Sequence, residues 1–198
     1  MNIVITERIK KFILRHQLEA VRDRLLASHA GEPGLLVMGS AFAVLCDAQG
    51  RSRCVPGLNI VTNAGDVWYA QRSAGETPTH NFAGASAGIR LGDDNTAPTK
   101  TDVDVTSFVT GSGHAIDATY PKSNDGDTDN TGAGTNVVSW RFSFTTAQGN
   151  GTGIIELAIV DDIASPTVAL AHALFTGAFD KTSSDTLKVF VNHTLSGV

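Results

Sequence analysis

Charged side chains are scarce in this 198-residue chain, at 18% of residues. No uninterrupted apolar run reaches the length of about 18 residues that a membrane-spanning helix needs, so we expect no membrane span and no membrane partner. The chain begins with apolar residues followed by basic ones, the reverse of the order in a secretory signal peptide, so export by that route is not expected. An apolar fraction of 41% still suffices for a sizeable core.

The common signatures of catalysis are absent as well. There is no Gly-x-Ser-x-Gly elbow, no Walker loop and no dinucleotide-binding glycine pattern. The histidines form no close pair, which argues against a histidine-based metal site. They are His16, His29, His80, His114, His172 and His193. His172 alternates with apolar neighbours and is interpreted as a hydrogen-bonded strand residue.

From these absences we predict no catalytic residue, no metal ligand and no cofactor, and a protein that is not an enzyme. A Ser-His-Asp arrangement stays open, because the members of such a triad need not be close in sequence.

Only two cysteines are present, Cys46 and Cys54. The residues between them look like a hairpin turn centred on Gly50. In a symmetric hairpin the two cysteines would face each other across the strands, close enough for a disulfide. The other interpretation, which we favour, is a pair of reduced thiols in a protein made in a cytoplasm.

Charge is unevenly distributed along the chain. Residues 1–58 hold eight Lys or Arg against five Asp or Glu, whereas residues 59–198 hold seven against fifteen. Phosphate binding requires a basic face, so the acidic larger part argues against nucleic acid as a partner. The basic excess of the first part is too small to indicate one.

Threonine, serine, glycine and asparagine are abundant, which favours strands and turns over helices. Polar and apolar residues alternate most clearly in the segment Val137–Phe144. Short strands separated by turn signals are typical of a β-sandwich or a barrel, so we predict a mainly β domain, a β-sandwich or barrel-like fold, over residues 35–198. The predicted strands are 35–46, 53–60, 88–91, 103–109, 114–120, 136–146, 152–160, 167–175 and 186–195, with one short helix at 66–73.

Residues 1–34 precede this domain and carry the pattern of an amphipathic helix. Thr6 can cap the helix, and the Gly-Glu-Pro-Gly sequence of residues 31–34 can end it. Its apolar stripe consists of residues at spacings of four, three and four, namely Leu14, Leu18, Val21 and Leu25. This stripe packs either on the protein's own sheet or on another subunit. We treat residues 1–34 as a helical docking segment and the stripe as its candidate interface.

One carboxylate, Glu156, stands inside an otherwise apolar strand. By strand alternation it shares a face with Ile154, Ala158 and Val160. No His, Lys or second carboxylate accompanies it within the strand, so we interpret Glu156 as structural rather than catalytic. Burying a carboxylate without partners is very costly, so it needs donors. Backbone N–H groups, or Arg141 on the preceding strand, could supply them.

An acidic loop has carboxylates at alternate positions, Asp125, Asp127 and Asp129, as a calcium-binding loop does. The EF-hand pattern nevertheless fails, because Asn130 stands where glycine is required and Asn136 where glutamate is required. A solvated, turn-rich loop is the favoured interpretation, and a calcium site is the weaker one.

Five segments taken together resemble a group of small structural proteins of tailed bacteriophages. They are, in order, a turn-helix entry, a strand followed by Thr-Ala-Pro, an aromatic strand, a Glu-containing apolar strand and a closing Lys-Thr-Ser-Ser-Asp-Thr-Leu. They lie at residues 59–65, 89–99, 138–146, 154–159 and 181–187. Each segment is loose by itself, so their order and spacing carry the resemblance. Ala158 stands where the family pattern often has glycine, and residues 1–58 fall outside it.

The resemblance implies a non-enzymatic virion component, assembled in the host cytoplasm, whose partners are copies of itself and other virion proteins. A tail-fibre-associated or adaptor protein is the first expectation, and a head (capsid) decoration protein is the alternative. Proteins of this kind act through repeated interfaces in symmetric assemblies.

A carbohydrate-binding receptor module is a more distant alternative. The aromatic side chains of Trp68, Tyr69, Tyr120 and Trp140 could offer faces on which sugars stack, and the acidic loop could hold calcium. For Trp140, the alternation of its strand favours packing in the core instead.

Overall fold

A computed structural model describes residues 35–124 and 136–197 of this protein. The chain divides into two compact units, one formed by Met1–Leu36 with Ser196–Val198 and the other by Val37–Leu195. The second unit contains nearly all of the described residues. No helix in the described ranges is long and apolar enough to cross a membrane.

The described part of the chain is mainly β. Its strands form one antiparallel sheet, in the order β4-β3-β7-β8-β2-β1-β9-β6-β5, which curls into a half-barrel. The mainly β prediction is confirmed, but these strands form a single curled sheet and not the two sheets of a sandwich. The elements are β1 (Leu35–Cys46), β2 (Ser52–Val61), α1 (Asn63–Ser73), β3 (Gly88–Gly92), β4 (His114–Ala115), β5 (Lys122–Asn124), β6 (Val137–Phe144), β7 (Gly151–Val160), β8 (Ala169–Lys181) and β9 (Thr186–Gly197).

The main core lies on the inner face of the curled sheet, together with α1. The helix begins where the Thr62 hydroxyl accepts a hydrogen bond from the Gly65 N–H at 3.1 Å, which caps its first turn. Trp68 and Tyr69 of α1 are buried, and the Trp68 ring lies 5.8 Å from that of Trp140 on β6. The helix thus fills the inner face with aromatic side chains.

The margins of the sheet are joined by the segment that follows β4. The Asp117 N–H donates to the Arg141 carbonyl of β6 at 3.0 Å. The Asp117 carboxylate accepts from the Arg141 guanidinium at 2.6 Å and from the Ser143 N–H at 2.9 Å. A single aspartate therefore links the chain leaving the β3–β4 margin to the strand beside the opposite margin.

Two predicted strands are mostly absent. Residues 103–109 form only an isolated bridge, between Gly92 and Phe108, and the strand predicted at 114–120 is limited to His114–Ala115. Residues 93–113, which we call the strap, instead run over the outer face of the sheet as far as β8 and return along the edge of β3, where the Val109 N–H donates to the Leu91 carbonyl at 3.0 Å. Several strap N–H groups donate to a side chain and not to a neighbouring strand, which explains why the apolar pattern there did not produce a strand.

The hairpin of β1 and β2 forms, but its pairing is centred on Gln49 and not on Gly50, so the two cysteines do not face each other. Cys46 lies opposite Ser52, with 3.0 Å between the two side chains, and Cys54 lies opposite Val44. No disulfide joins them. The two cysteines do not lie at equal distances from the centre of the hairpin, so they do not form the facing pair that a disulfide requires.

The alternation of β7 is interrupted near its start. The register with β8 shifts between Ile154 and Glu156. As a result Ile154 joins the main core with Leu157, whereas Ala158 belongs to a second, small cluster on the outer face. The prediction that Ile154 shares the face of Glu156 is therefore wrong. The irregular strand pairing between these residues changes the face to which the side chains before it point.

Candidate functional site

Glu156 lies on the outer face of the sheet beneath the strap and is 0% exposed. It stands opposite Gly92 of β3. A Cβ atom at Gly92 would lie 2.3 Å from the Glu156 Oε1 atom and 2.6 Å from the Ser107 carbonyl oxygen, so glycine is required for the carboxylate and the strap to fit here.

The Glu156 carboxylate holds the strap by its backbone. Oε1 accepts from the Ser107 N–H at 2.9 Å and from the Asp94 N–H at 3.4 Å, and Oε2 accepts from the Thr106 N–H at 3.0 Å. Of the two kinds of donor considered in the sequence, backbone N–H groups are therefore the ones present. Arg141 bonds to Asp117 instead, on another part of the sheet.

His172 of β8 is the side-chain partner of Glu156. Its Nε2 lies 2.8 Å from Glu156 Oε2, and its Nδ1 lies 2.6 Å from an oxygen of Asp102 in the strap. A neutral imidazole carries one N–H, so it can donate to only one of two carboxylates. Since both nitrogens meet carboxylate oxygens, the geometry fits an imidazolium that donates to both. The strap is thus connected to the sheet by a chain of Asp102, His172 and Glu156.

The electrostatics of this chain agree with that assignment. Burial by itself would lower the pKa of His172, but the hydrogen bonds and charges of Glu156 and Asp102 outweigh it and raise the pKa above its ordinary value. Burial would raise the pKa of Glu156, yet the bonds from His172, Ser107 and Thr106 hold that pKa below its usual value. Each shift favours the charged form of its group, which agrees with an imidazolium placed between two carboxylates.

Arg90 of β3 lies beside this chain and is 8% exposed. Its Nε lies 2.9 Å from the Asp104 carboxylate, in an ion pair that is not aligned as a hydrogen bond. One terminal nitrogen donates to the Ile163 carbonyl at 2.9 Å, and the guanidinium lies 3.5 Å from the ring centroid of Phe108. Arg90 therefore contacts two strap residues, Asp104 through an ion pair and Phe108 through its ring.

A second buried network lies on the inner face. His193 of β9 is 0% exposed; its Nδ1 lies 2.6 Å from the Tyr69 hydroxyl and its Nε2 lies 2.8 Å from the side-chain amide of Asn59 on β2. The Trp140 indole N–H donates to the Tyr69 hydroxyl at 3.4 Å. Strand β1 separates β2 from β9, and the Asn59 side chain occupies the space that a Cβ at Gly39 of β1 would take.

One orientation of the Asn59 amide gives the Tyr69 hydroxyl and both ring nitrogens of His193 a matching partner. With Asn59 Oδ1 turned toward Nε2, the Trp140 N–H donates to Tyr69, the Tyr69 O–H donates to His193 Nδ1, and the Nε2–H donates to Asn59. The opposite orientation leaves the Asn59 carbonyl oxygen buried without a partner.

We therefore expect His193 to be a neutral imidazole with its proton on Nε2. Burial lowers the pKa of His193 to about 3. Nitrogen-15 NMR of the imidazole should show the Nε2–H form with no titration between about pH 4 and pH 9. An ordinary titration near pH 6.5 would contradict this assignment.

The two buried histidines should give stability a maximum near pH 6.5, the ordinary histidine pKa. Because the folded pKa of His172 is raised, its contribution is complete below about pH 6.5 and is lost as the pH rises through its folded pKa. The folded pKa of His193 is lowered, so below about pH 6.5 this histidine binds a proton in the unfolded chain but not in the folded protein. The free energy of unfolding therefore falls as the pH drops below about 6.5.

Urea unfolding from pH 4.5 to 9 measures both limbs of this curve. Each histidine contributes a slope of at most about 1.4 kcal/mol per pH unit. His172→Gln should flatten the alkaline limb and leave the acidic limb unchanged. An unfolding free energy that is constant above pH 6.5 in the unmodified protein would contradict the charged state of His172.

Several residues singled out in the sequence lie outside the described ranges. These are the calcium candidates Asp125, Asp127 and Asp129 and the candidate interface Leu14, Leu18, Val21 and Leu25. Within residues 35–124 and 136–197, no three His, Cys, Asp or Glu side chains are grouped as a metal site would require. Of the aromatic residues considered for sugar stacking, Trp68, Tyr69 and Trp140 are buried, so their faces are occupied by the core.

The chemistry available to Glu156 and His172 is restricted by their bonds. Both nitrogens of His172 and both oxygens of Glu156 already have protein partners, and neither side chain reaches solvent. The arrangement positions a backbone segment, which is a structural task.

Asp102 was not singled out in the sequence. It lies 70 residues from His172, and only the fold brings the two together. No family model, no curated protein and no solved structure matches this chain.

Proposed function

We propose that this protein is a non-enzymatic structural component of a tailed-phage virion, at the tail or fibre attachment as an adaptor. It acts there through repeated interfaces with copies of itself and with other virion proteins, and it is assembled into particles in the host cytoplasm. A head (capsid) decoration protein of the same fold is the alternative.

One observation carries the proposal: the most conspicuous acid of the chain has all its hydrogen-bond partners inside the protein. Glu156 is sealed from solvent and holds the strap through the N–H groups of Thr106, Ser107 and Asp94. A buried carboxylate with all its partners inside the protein fixes a unique arrangement of the segments around it. Such a fixed shape suits a subunit that must present the same surfaces in every copy.

The segments that carry the resemblance to phage structural proteins also meet in space at this point. The segment at residues 89–99 contains β3 and the start of the strap, and the segment at residues 154–159 lies in β7. All five residues of β3 pair with the second half of β7, residues 156–160. Two motifs that are far apart in the chain thus form one structural unit, which supports reading them together.

Immunogold labelling of purified particles of the phage that encodes the protein tests the proposal. We expect gold at the tail or at the fibre attachment. Labelling over the whole shell would instead favour head decoration. Particles that contain no copy of the protein, as judged by quantitative mass spectrometry against the major capsid protein, would overturn both assignments.

A second test uses a Glu156→Leu variant supplied in trans to a phage lacking the gene, with a surface variant as its control. Because this change disturbs the strap that Glu156 holds, it should reduce incorporation into particles. Replacement of the exposed Glu76 by leucine should leave incorporation unchanged.

A further inference from the structure

The strap is held to the sheet mainly by polar bonds and only weakly by apolar burial. The small cluster beneath it contains Val105, Ala158, Val160 and Ala169 as its buried members, two of which are alanines. Near the sheet, the strap backbone donates to Glu156. Toward its tip, one attachment is the bond of Asp102 to His172, and another is a bond from the Asn63 N–H of α1 to the Lys100 carbonyl at 2.8 Å. Two ion pairs add to them, between the Lys100 side chain and Asp66 of α1 at 2.6 Å and between Asp104 and Arg90 at 2.9 Å.

The two carboxylates that meet His172 differ in their access to water. Glu156 is completely buried, whereas the Asp102 side chain is 24% exposed. If the imidazolium loses a proton, one ring nitrogen presents a lone pair to a carboxylate, which is repulsive. Asp102 can then move into water at little cost, whereas Glu156 cannot, because leaving a buried carboxylate unpaired is expensive. The remaining N–H therefore stays on Nε2 and donates to Glu156.

We propose that His172 is a proton-controlled latch: the protonated ring holds the tip of the strap, residues 96–104, on the sheet, and loss of the proton releases the tip at Asp102. The base of the strap stays bound through Glu156. This inference concerns the folded subunit itself and does not depend on the virion assignment.

The other charged groups around the latch work in the same direction. Arg90 of β3 faces it from one side, and Asp102 and Asp104 of the strap and Glu156 of β7 supply the negative charges. The Asp94 carboxylate is turned away from the latch and accepts a hydrogen bond from the Thr96 N–H. The β2 residue opposite His172 is the uncharged Ile60. Three carboxylates thus face two cations when His172 is protonated and a single cation when it is neutral, so loss of the proton adds repulsion among the strap carboxylates.

Amide hydrogen exchange of the full-length protein, measured by NMR between pH 6 and pH 9 and corrected for the intrinsic pH dependence of exchange, tests the latch. The Asn63 amide reports on the tip, because its acceptor is the Lys100 carbonyl. The Thr106 amide reports on the base. We expect the protection of Asn63 to fall across the titration of His172, while Thr106 keeps its protection.

His172→Gln is the matched variant, because its amide has no charge to lose in this range. In it, the protection of Asn63 should not change with pH. Constant Asn63 protection in the unmodified protein, or an equal fall in the variant, would overturn the latch.

A second measurement needs no variant. Nitrogen-15 NMR of His172 in the unmodified protein should show the Nε2–H form after deprotonation, with a midpoint equal to that of the Asn63 change. Midpoints that differ by more than one pH unit, or an Nδ1–H form, would overturn the proposal even if the variant does not fold.

Discussion

Glu156→Leu is expected to lower the free energy of unfolding by about 3–5 kcal/mol, the cost of breaking a buried charge pair by removing one partner. The leucine would leave the Thr106 and Ser107 N–H groups and the His172 ring without an acceptor in a place that water does not reach. Glu156→Gln keeps one acceptor oxygen and nearly the same volume, so its expected cost is smaller, about 1–3 kcal/mol.

Urea unfolding at pH 6.5, followed by the fluorescence of the buried Trp68 and Trp140, measures both substitutions. Glu76→Leu on the exposed surface is the control and should change stability by less than about 0.5 kcal/mol. If Glu156→Leu costs less than about 1 kcal/mol, well below the range for a broken buried pair, Glu156 does not hold the strap.

Gly39→Ala should be the second most damaging change, at about 2–5 kcal/mol from overpacking together with a lost buried hydrogen bond. The new Cβ would lie 1.2 Å from Oδ1 and 2.1 Å from Cγ of Asn59. Asn59 must therefore leave its place over β1, and His193 loses its partner on that side.

A double-mutant cycle with Asn59→Ala isolates this clash. Asn59→Ala alone removes the bond to His193, but Gly39→Ala should then cost little, since the side chain it displaces is gone. The coupling energy should reach at least about 1 kcal/mol, as for residues in direct contact. Gly177→Ala is the control, because no atom lies within 4 Å of its added Cβ. Additive effects of the two changes would show that the Asn59 side chain does not pass over Gly39.

Local sequence patterns were sufficient for most of the sheet. The bounds of β1, β2, β6, β7 and β9 follow from alternation and turn residues to within about two residues, the usual uncertainty of such boundaries. The alternation of apolar and polar residues can be read within one strand, because it arises when one face of that strand is buried.

The strap could not be predicted in the same way. Val105 and Phe108 give it a strand-like pattern, but its backbone bonds to Glu156, 49 and 50 residues away. The strap N–H groups can donate either to a side chain or to a neighbouring strand. Only the fold determines which of these acceptors they bond to. For the same reason the sequence could mark Glu156 as a carboxylate in need of donors and His172 as a bonded strand residue, but could not bring the two together or add Asp102.

Within residues 35–124 and 136–197, the curled sheet ends in a two-residue strand, β4, on one side and a three-residue strand, β5, on the other. Long, straight edge strands present unpaired N–H and C=O groups to which another chain can add, which leads to aggregation. Such short margins offer almost no template of that kind. Contacts of this sheet with another molecule therefore rely on side chains more than on the addition of a strand.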